Sequence, residues 1–223
     1  MFEFKILISN SLDDKKLANA IKNALDRVSE FKSYFSEEYP IKGENTSYKI
    51  QNAIEDCDFM ISIFTKDSIN DQLINQEIGY AYKVKQINNK LKILIVTEMN
   101  LELGGLVRYA NEEIIKMDKR KIDLLLHNII WSIRKSIPNG LSNNTLKLKI
   151  KCCGCRDLND NPNEFFGLIP SQTDIKKNYS SEKNTLNYYC PYCGASNEIN
   201  VLSFENMSLT LRKTLKEENT LTI

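Results

Sequence analysis

Two sets of residues in this 223-residue chain have the types and spacing to do chemistry. The first is Glu77, inside Asp58–Ala81 (D-F-M-I-S-I-F-T-K-D-S-I-N-D-Q-L-I-N-Q-E-I-G-Y-A), where an apolar strand runs through a polar turn into a helix. In an open α/β sheet, ligands sit at the carboxyl ends of the strands, beside the helix starts. A carboxylate early in such a helix is placed to meet a substrate. The second set is Cys152 with Cys155 (C-C-G-C) and Cys190 with Cys193 (C-P-Y-C-G), two C-x-x-C pairs separated by 34 residues. Each pair can grip a metal from a tight turn, and four thiolates complete a tetrahedral zinc site with no open position, hence a structural one. Gly194 suits the turn after the second pair. A redox dithiol or disulfide is the competing reading, and Cys153 is expected to be a spectator.

The elements that position these residues alternate between strand and helix. Apolar runs predict strands at Phe4–Ser9, Phe31–Ser36, Phe59–Phe64, Lys92–Thr97 and Glu113–Met117. Helical spacing of Leu17, Ile21, Ala24, Leu25 and Val28 predicts a helix opening at Ser11–Asp14, and further helices are expected at Ser47–Asp56, about Asp71–Val84, and Lys121–Ser136. Five strands alternating with helices read as a doubly wound parallel sheet. Pro138-Asn139-Gly140 opens a linker, so the expected organisation is a sheet domain over 1–137, a linker over 138–146 and a zinc-ribbon-like β module with a tail over 147–223. Ser208–Glu218 reads as a short helix.

Composition narrows the function classes. Charged residues are 26% and apolar residues 42%, with a net charge of +1, which fits a globular chain with a core and gives no global field for a polyanion. The segment 146–223 holds ten Lys/Arg against nine Asp/Glu. No basic-aromatic stripe appears there, so nucleic acid is not the expected partner, and a protein contact or oligomerisation is. No apolar run is long enough to span a bilayer, and the start lacks the pattern of a secretory signal, so a cytoplasmic location is expected. There is no G-x-G-x-x-G after the first strand and no G-x-x-x-x-G-K-[ST], which removes the Rossmann and Walker phosphate cradles. His127, the single histidine, falls within the last sheet-domain helix and is read as structural. Cys57 is expected to be a buried thiol.

Four segments together, I-L-I-S-N-S-L-D-D (6–14), P-I-K-G-E (40–44), I-Q-N-A-I-E-D-C-D-F-M-I-S-I-F-T-K-D-S (50–68) and N-Q-E-I-G-Y-A (75–81), resemble a Toll/interleukin-1 receptor (TIR) domain in order and spacing across about residues 1–137. The resemblance implies a flavodoxin-like five-stranded parallel sheet. It also implies cleavage of NAD+ at the nicotinamide–ribose bond, giving ADP-ribose or a cyclic form, with activation by self-assembly in stress or anti-phage defence. On this resemblance Glu77 is the catalytic glutamate. Ser9, Asn10, Ser11, Lys42, Gly43 and Ser68 fall at substrate-contacting positions. Leu73 stands where the family often has tryptophan, so an aromatic platform would have to come from Phe64 or Tyr80. The alternative is a non-catalytic TIR interaction module with the zinc ribbon as a docking platform. A receptor that binds a nucleotide signal without turnover is a third.

Overall fold

Parallel strands covered on both faces must be apolar at successive positions, and in the computed structural model the central strands are. All six residues of β3 (Phe59–Phe64) are buried, as are the last four of β1 (Phe4–Ser9) and five of the seven in β4 (Lys92–Glu98). The structure describes residues 2–38, 46–109, 112–137, 146–157, 161–180 and 184–210. Contacts divide the chain into two units, Met1–Asp26 with Glu30–Pro138, and Arg27–Ser29 with Asn139–Ile223. No described helix is long and apolar enough to cross a membrane.

The first unit adds β2 (Phe31–Phe35) and β5 (Glu113–Met117) to a five-stranded, wholly parallel sheet of order β2-β1-β3-β4-β5. This is the flavodoxin-like order, with its crevice where the chain switches direction at β1 and β3. The helices are α1 (Lys15–Leu25), α2 (Thr46–Asp56), α3 (Gln72–Ile87), the short α4 (Gly105–Tyr109) and α5 (Ile122–Ser136). One face of the sheet presents Leu7, Met60, Phe64, Ile93 and Ile95 to Ile50, Ala53 and Ile54 of α2 and to Ile74, Ile78, Ala81 and Val84 of α3. The alternate residues Ile6, Ile8, Ile61 and Ile63 are buried on the opposite face, where right-handed crossovers place α1 and where α5 packs with it.

Two local features depart from the expected elements. The first helix opens at Lys15 rather than at Ser11, and Asp14 precedes it without a side-chain cap bond. The Asp14 carboxylate is drawn elsewhere, to the hydroxyls of Ser11 and Thr65. The short α4, opening at Gly105, is also an element that the sequence expectation did not include.

In the second unit, β6 (Lys147–Arg156) pairs antiparallel with β7 (Pro162–Leu168), and β8 (Thr185–Tyr189) pairs antiparallel with β9 (Ser196–Asn200). Between the hairpins lies a helix absent from the sequence expectation, α6 (Gln172–Ser180). Its start is a capping box: Asp174 N–H donates to Ser171 Oγ at 3.1 Å, and Ser171 N–H donates to the Asp174 carboxylate at 3.1 Å. Most of the expected linker and of the Ser208–Glu218 helix lies outside the described residues.

Ile61 sits at 0% exposure in the middle of the sheet. Truncation of Ile61→Ala is expected to destabilise the protein by about 2–5 kcal/mol, read as a lower urea midpoint for the first unit.

Candidate functional site

The carboxylate of Glu77 is reached from three elements. It lies in the second turn of α3, a helix anchored by Asp71, whose side chain accepts from the N–H groups of Leu73 at 2.8 Å and Ile74 at 3.4 Å. Apolar residues hold α3 against the sheet on either side of Glu77, which is 3% exposed. Ser9, the last residue of β1, donates its hydroxyl to Glu77 Oε2 through a short contact. Ser36, just past the end of β2, donates to Oε1 at 3.1 Å. β1 and β2 are neighbours in the sheet, so their carboxyl ends deliver both hydroxyls to one carboxylate.

This group opens on a cavity of about 240 Å³ lined by Asn10, Ser11, Lys15, Phe35, Ser36 and Leu73 among others. Leu73 lies one turn before Glu77 on the same helix face and is 45% exposed at the rim. Asn10 folds back to donate its side-chain N–H to the carbonyl of Ser11 at 2.6 Å.

Of the residues singled out from sequence, Ser9, Asn10, Ser11, Leu73 and Glu77 come together here. Ser68 does not line the cavity. Its hydroxyl accepts from Thr65 N–H at 2.9 Å and lies 3.1 Å from Thr65 Oγ1, which donates to Asp14 at 3.1 Å. Ser11 donates to the same Asp14 oxygen at 3.1 Å. Ser68 is therefore a turn residue in a buried polar chain, Ser68–Thr65–Asp14–Ser11, that backs the cavity wall. Lys42 and Gly43, with the whole of Pro40–Glu44, lie outside the described residues.

Neither expected aromatic platform faces Glu77. Phe64 is 2% exposed and lines a separate cavity of about 490 Å³ with Ile78, Leu103 and Val107. Tyr80 donates its hydroxyl to Glu55 of α2, and that bond, with burial, pushes its pKa up to about 12. Among the described residues, the ring that lines the Glu77 cavity is Phe35. Ser36 and Phe35 were missed from sequence; the only signal was their place at the carboxyl end of a strand beside β1. His127 lines neither cavity. Burial first, and then Arg134, lowers its pKa. Cys57 is a buried thiol donating to the carbonyl of Ile54 at 3.3 Å, with burial pushing its pKa up to about 12.

The sulfur atoms of Cys152, Cys155, Cys190 and Cys193 lie within 4.8 Å of one another. Cys152 to Cys193 is 3.5 Å, and Cys155 to Cys190 is 3.7 Å. A zinc ion with Zn–S bonds near 2.3 Å would set tetrahedral edges of about 3.8 Å, so the donor set fits such an ion. The backbone is cut to the same purpose. A Cβ on Gly154 would meet Ala195 Cβ at 2.5 Å and Cys193 Sγ at 3.0 Å, and the Gly154 N–H donates to Cys152 Sγ at 3.2 Å. Gly194 holds φ at +71°, and its N–H closes the turn on the Cys190 carbonyl at 2.9 Å. Burial opposes ionisation of Cys152. The N–H groups of Gly154 and Cys155 and the neighbouring thiols outweigh it and bring that pKa down to about 6.

Asn197, unnoticed in the sequence, joins the two hairpins. It is 0% exposed. Its carbonyl oxygen accepts from Cys153 N–H at 2.7 Å, and its amide donates to the carbonyls of Ala195 at 3.0 Å and Tyr188 at 3.4 Å. Cys153 donates its thiol to the Ser196 carbonyl at 3.3 Å and is not one of the four clustered sulfurs.

No curated protein matches the chain. Among solved structures, the chain is similar to a CMP N-glycosidase of Clostridium botulinum, BcmB, at 14% identity and a TM-score of 0.44, covering 57% of this chain and 98% of that one. It is also similar to the TIR domains of the activated Roq1 resistosome recognising the pathogen effector XopQ, at 12% identity and a TM-score of 0.48, covering 59% of this chain and 99% of that one. The profile of the TIR domain family matches residues 6–124. With that match spanning more than half of its length and the parallel sheet order of the fold in place, the chain belongs to the TIR domain family.

Proposed function

We propose that the first unit is an NAD+ nucleosidase that cleaves the nicotinamide–ribose bond, with Glu77 as the catalytic residue. The observation that carries this reading is a carboxylate at 3% exposure, steered by Ser9 and Ser36, at the end of a cavity on the carboxyl side of the sheet. TIR family membership supports it. Nicotinamide in NAD+ is already cationic, so it departs with the C1′–N electron pair and needs no general acid. What requires stabilisation is the positive charge left on the ribose, as in glycosidase transition states. A buried carboxylate that accepts from the ribose hydroxyls orients the sugar and supplies negative potential beside that charge. Water adding at C1′ gives ADP-ribose, and attack by an adenine nitrogen gives a cyclic product.

The remaining lining residues have matching tasks. A volume of about 240 Å³ suits a fragment of the dinucleotide rather than all of it. The Phe35 ring offers a flat apolar face to nicotinamide, and Lys15 offers positive charge toward the pyrophosphate, with Asn10 and Ser11 as polar contacts. Ser68 then stiffens the wall instead of touching substrate. The reading includes activation by self-association of TIR domains and a role in stress or anti-phage signalling, both on family grounds. Zn2+ is the proposed occupant of the cysteine cluster, where it would close the second unit as a structural ion, and a reducing cytoplasm would keep the thiols available to it. One observation favours the competing non-catalytic module: Leu73 leaves the rim without the ring the family often carries.

Glu77→Gln and Glu77→Ala are expected to lower nicotinamide release from NAD+ by about 10²-fold or more while circular dichroism is unchanged, measured chromatographically with concentrated protein. Wild-type protein that forms no nicotinamide at any concentration, while it self-associates, would sink the enzymatic reading in favour of the interaction module. Ser36→Ala is expected to cost about tenfold in the same assay, the loss of one hydrogen bond to a charged acceptor. For the cluster, Gly154→Ala is expected to release zinc at lower chelator concentration than wild type, read with a colorimetric zinc indicator. Full retention in that variant would contradict the close approach seen at this position.

A further inference from the structure

Along β6 the sequence alternates strictly, Lys147-Leu148-Lys149-Ile150-Lys151-Cys152, and a pleated strand sends alternate side chains to opposite faces. Leu148, Ile150 and Cys152 are buried. The three lysines share the other face, with Lys147 and Lys151 exposed and Lys149 half-buried. The register with β7 sets Leu168 opposite Lys147, Phe166 opposite Lys149 and Glu164 opposite Lys151, and residues directly opposed across an antiparallel pair share a face. Phe166 is 58% exposed and Leu168 66%. The outward face of this hairpin therefore carries two parallel rows about 4.8 Å apart. One row is cationic, repeating about every 7 Å along the strand, and the other runs Leu168, Phe166, Glu164, apolar at its first two positions with the aromatic ring at its centre and acidic at the third. Glu164 approaches Lys151 at 4.0 Å, but both side chains are at least half exposed, so water weakens that pair.

We propose that this face binds single-stranded nucleic acid, with phosphates tracking the lysine row and a base stacked on Phe166. A single strand carries its charge and its π-faces on two separate edges, which is the pattern the hairpin presents, and a cationic track beside an exposed aromatic is the physical recipe for such binding. A base still paired in a duplex keeps its faces stacked and cannot reach the ring. Insertion into a membrane would call for the apolar side chains to project from a tip, whereas Phe166 and Leu168 lie within a strand beside the charges. The near-balance of charge over 146–223 conceals the arrangement, because the pleat gathers three of the ten cations onto one surface.

The test is fluorescence anisotropy of labelled oligothymidylate and oligouridylate with the full chain over a salt series. Binding is expected with a slope of log affinity against log salt of about −2, from three lysine contacts on a single strand. Phe166→Ala is expected to weaken binding roughly tenfold at unchanged slope. The exposed pair Lys147→Gln with Lys151→Gln is expected to flatten the slope while zinc content stays at the wild-type level. The proposal is overturned by absence of binding at low salt, by binding that none of these substitutions alters, by preference for duplex over single strands, or by binding of phosphatidylserine vesicles but not oligonucleotides.

Discussion

A carboxylate cannot leave water cheaply unless donors meet it, and the arrangement of the first unit follows from meeting Glu77. One donor hydroxyl comes from the end of β1 and another from just past β2. Those two strands must be neighbours, and the helix after β3 must pass over their ends. The order β2-β1-β3 satisfies both requirements at once. A different strand order would leave a buried charge facing an apolar sheet.

The helix is also prevented from turning the carboxylate away. Ile74, Ile78 and Ala81 surround Glu77 in sequence and belong to one apolar cluster with the sheet. Rotating α3 to free the acid would expose them. The chain Ser68–Thr65–Asp14–Ser11 adds a second brace, tying the turn after β3 to the turn after β1. Rigid walls on two sides and fixed donors are what a site that works by preorganised negative potential requires.

Much of this was legible in the residues. The strands Phe4–Ser9 and Phe59–Phe64 stand where their apolar runs place them, because two-faced burial leaves little polar alternative, while the edge strand Glu113–Met117 keeps its expected bounds with only Ile115 and Met117 buried. The cysteine pairs announced themselves by spacing. Ser36 and Phe35 did not, since their importance depends on which strand lies beside β2. Asn197 was invisible for a similar reason: its contacts span hairpins 44 residues apart. The capping box Ser171–Asp174 is present in the sequence, but the helix it opens carries almost no apolar periodicity, with Ile175 as its buried residue. The lysine alternation on β6 was equally plain, yet it acquires meaning only when β7 supplies Phe166 in register.

One strand carries both the charges and two of the thiols. Cys152 and Cys155 occupy the far end of β6, and the pairing with β7 shifts register between Lys151 and Arg156, where the C-x-x-C turn is accommodated. Side-chain direction in a strand reverses with a slip of one residue. If the thiol end lost its grip and β6 moved by one position, Leu148 and Ile150 would face outward and the lysines would point into the core. The turn that gathers the sulfurs and the pairing that keeps Leu148 and Ile150 inward are thus parts of one strand, so the register of the hairpin and the placement of Cys152 and Cys155 are specified together.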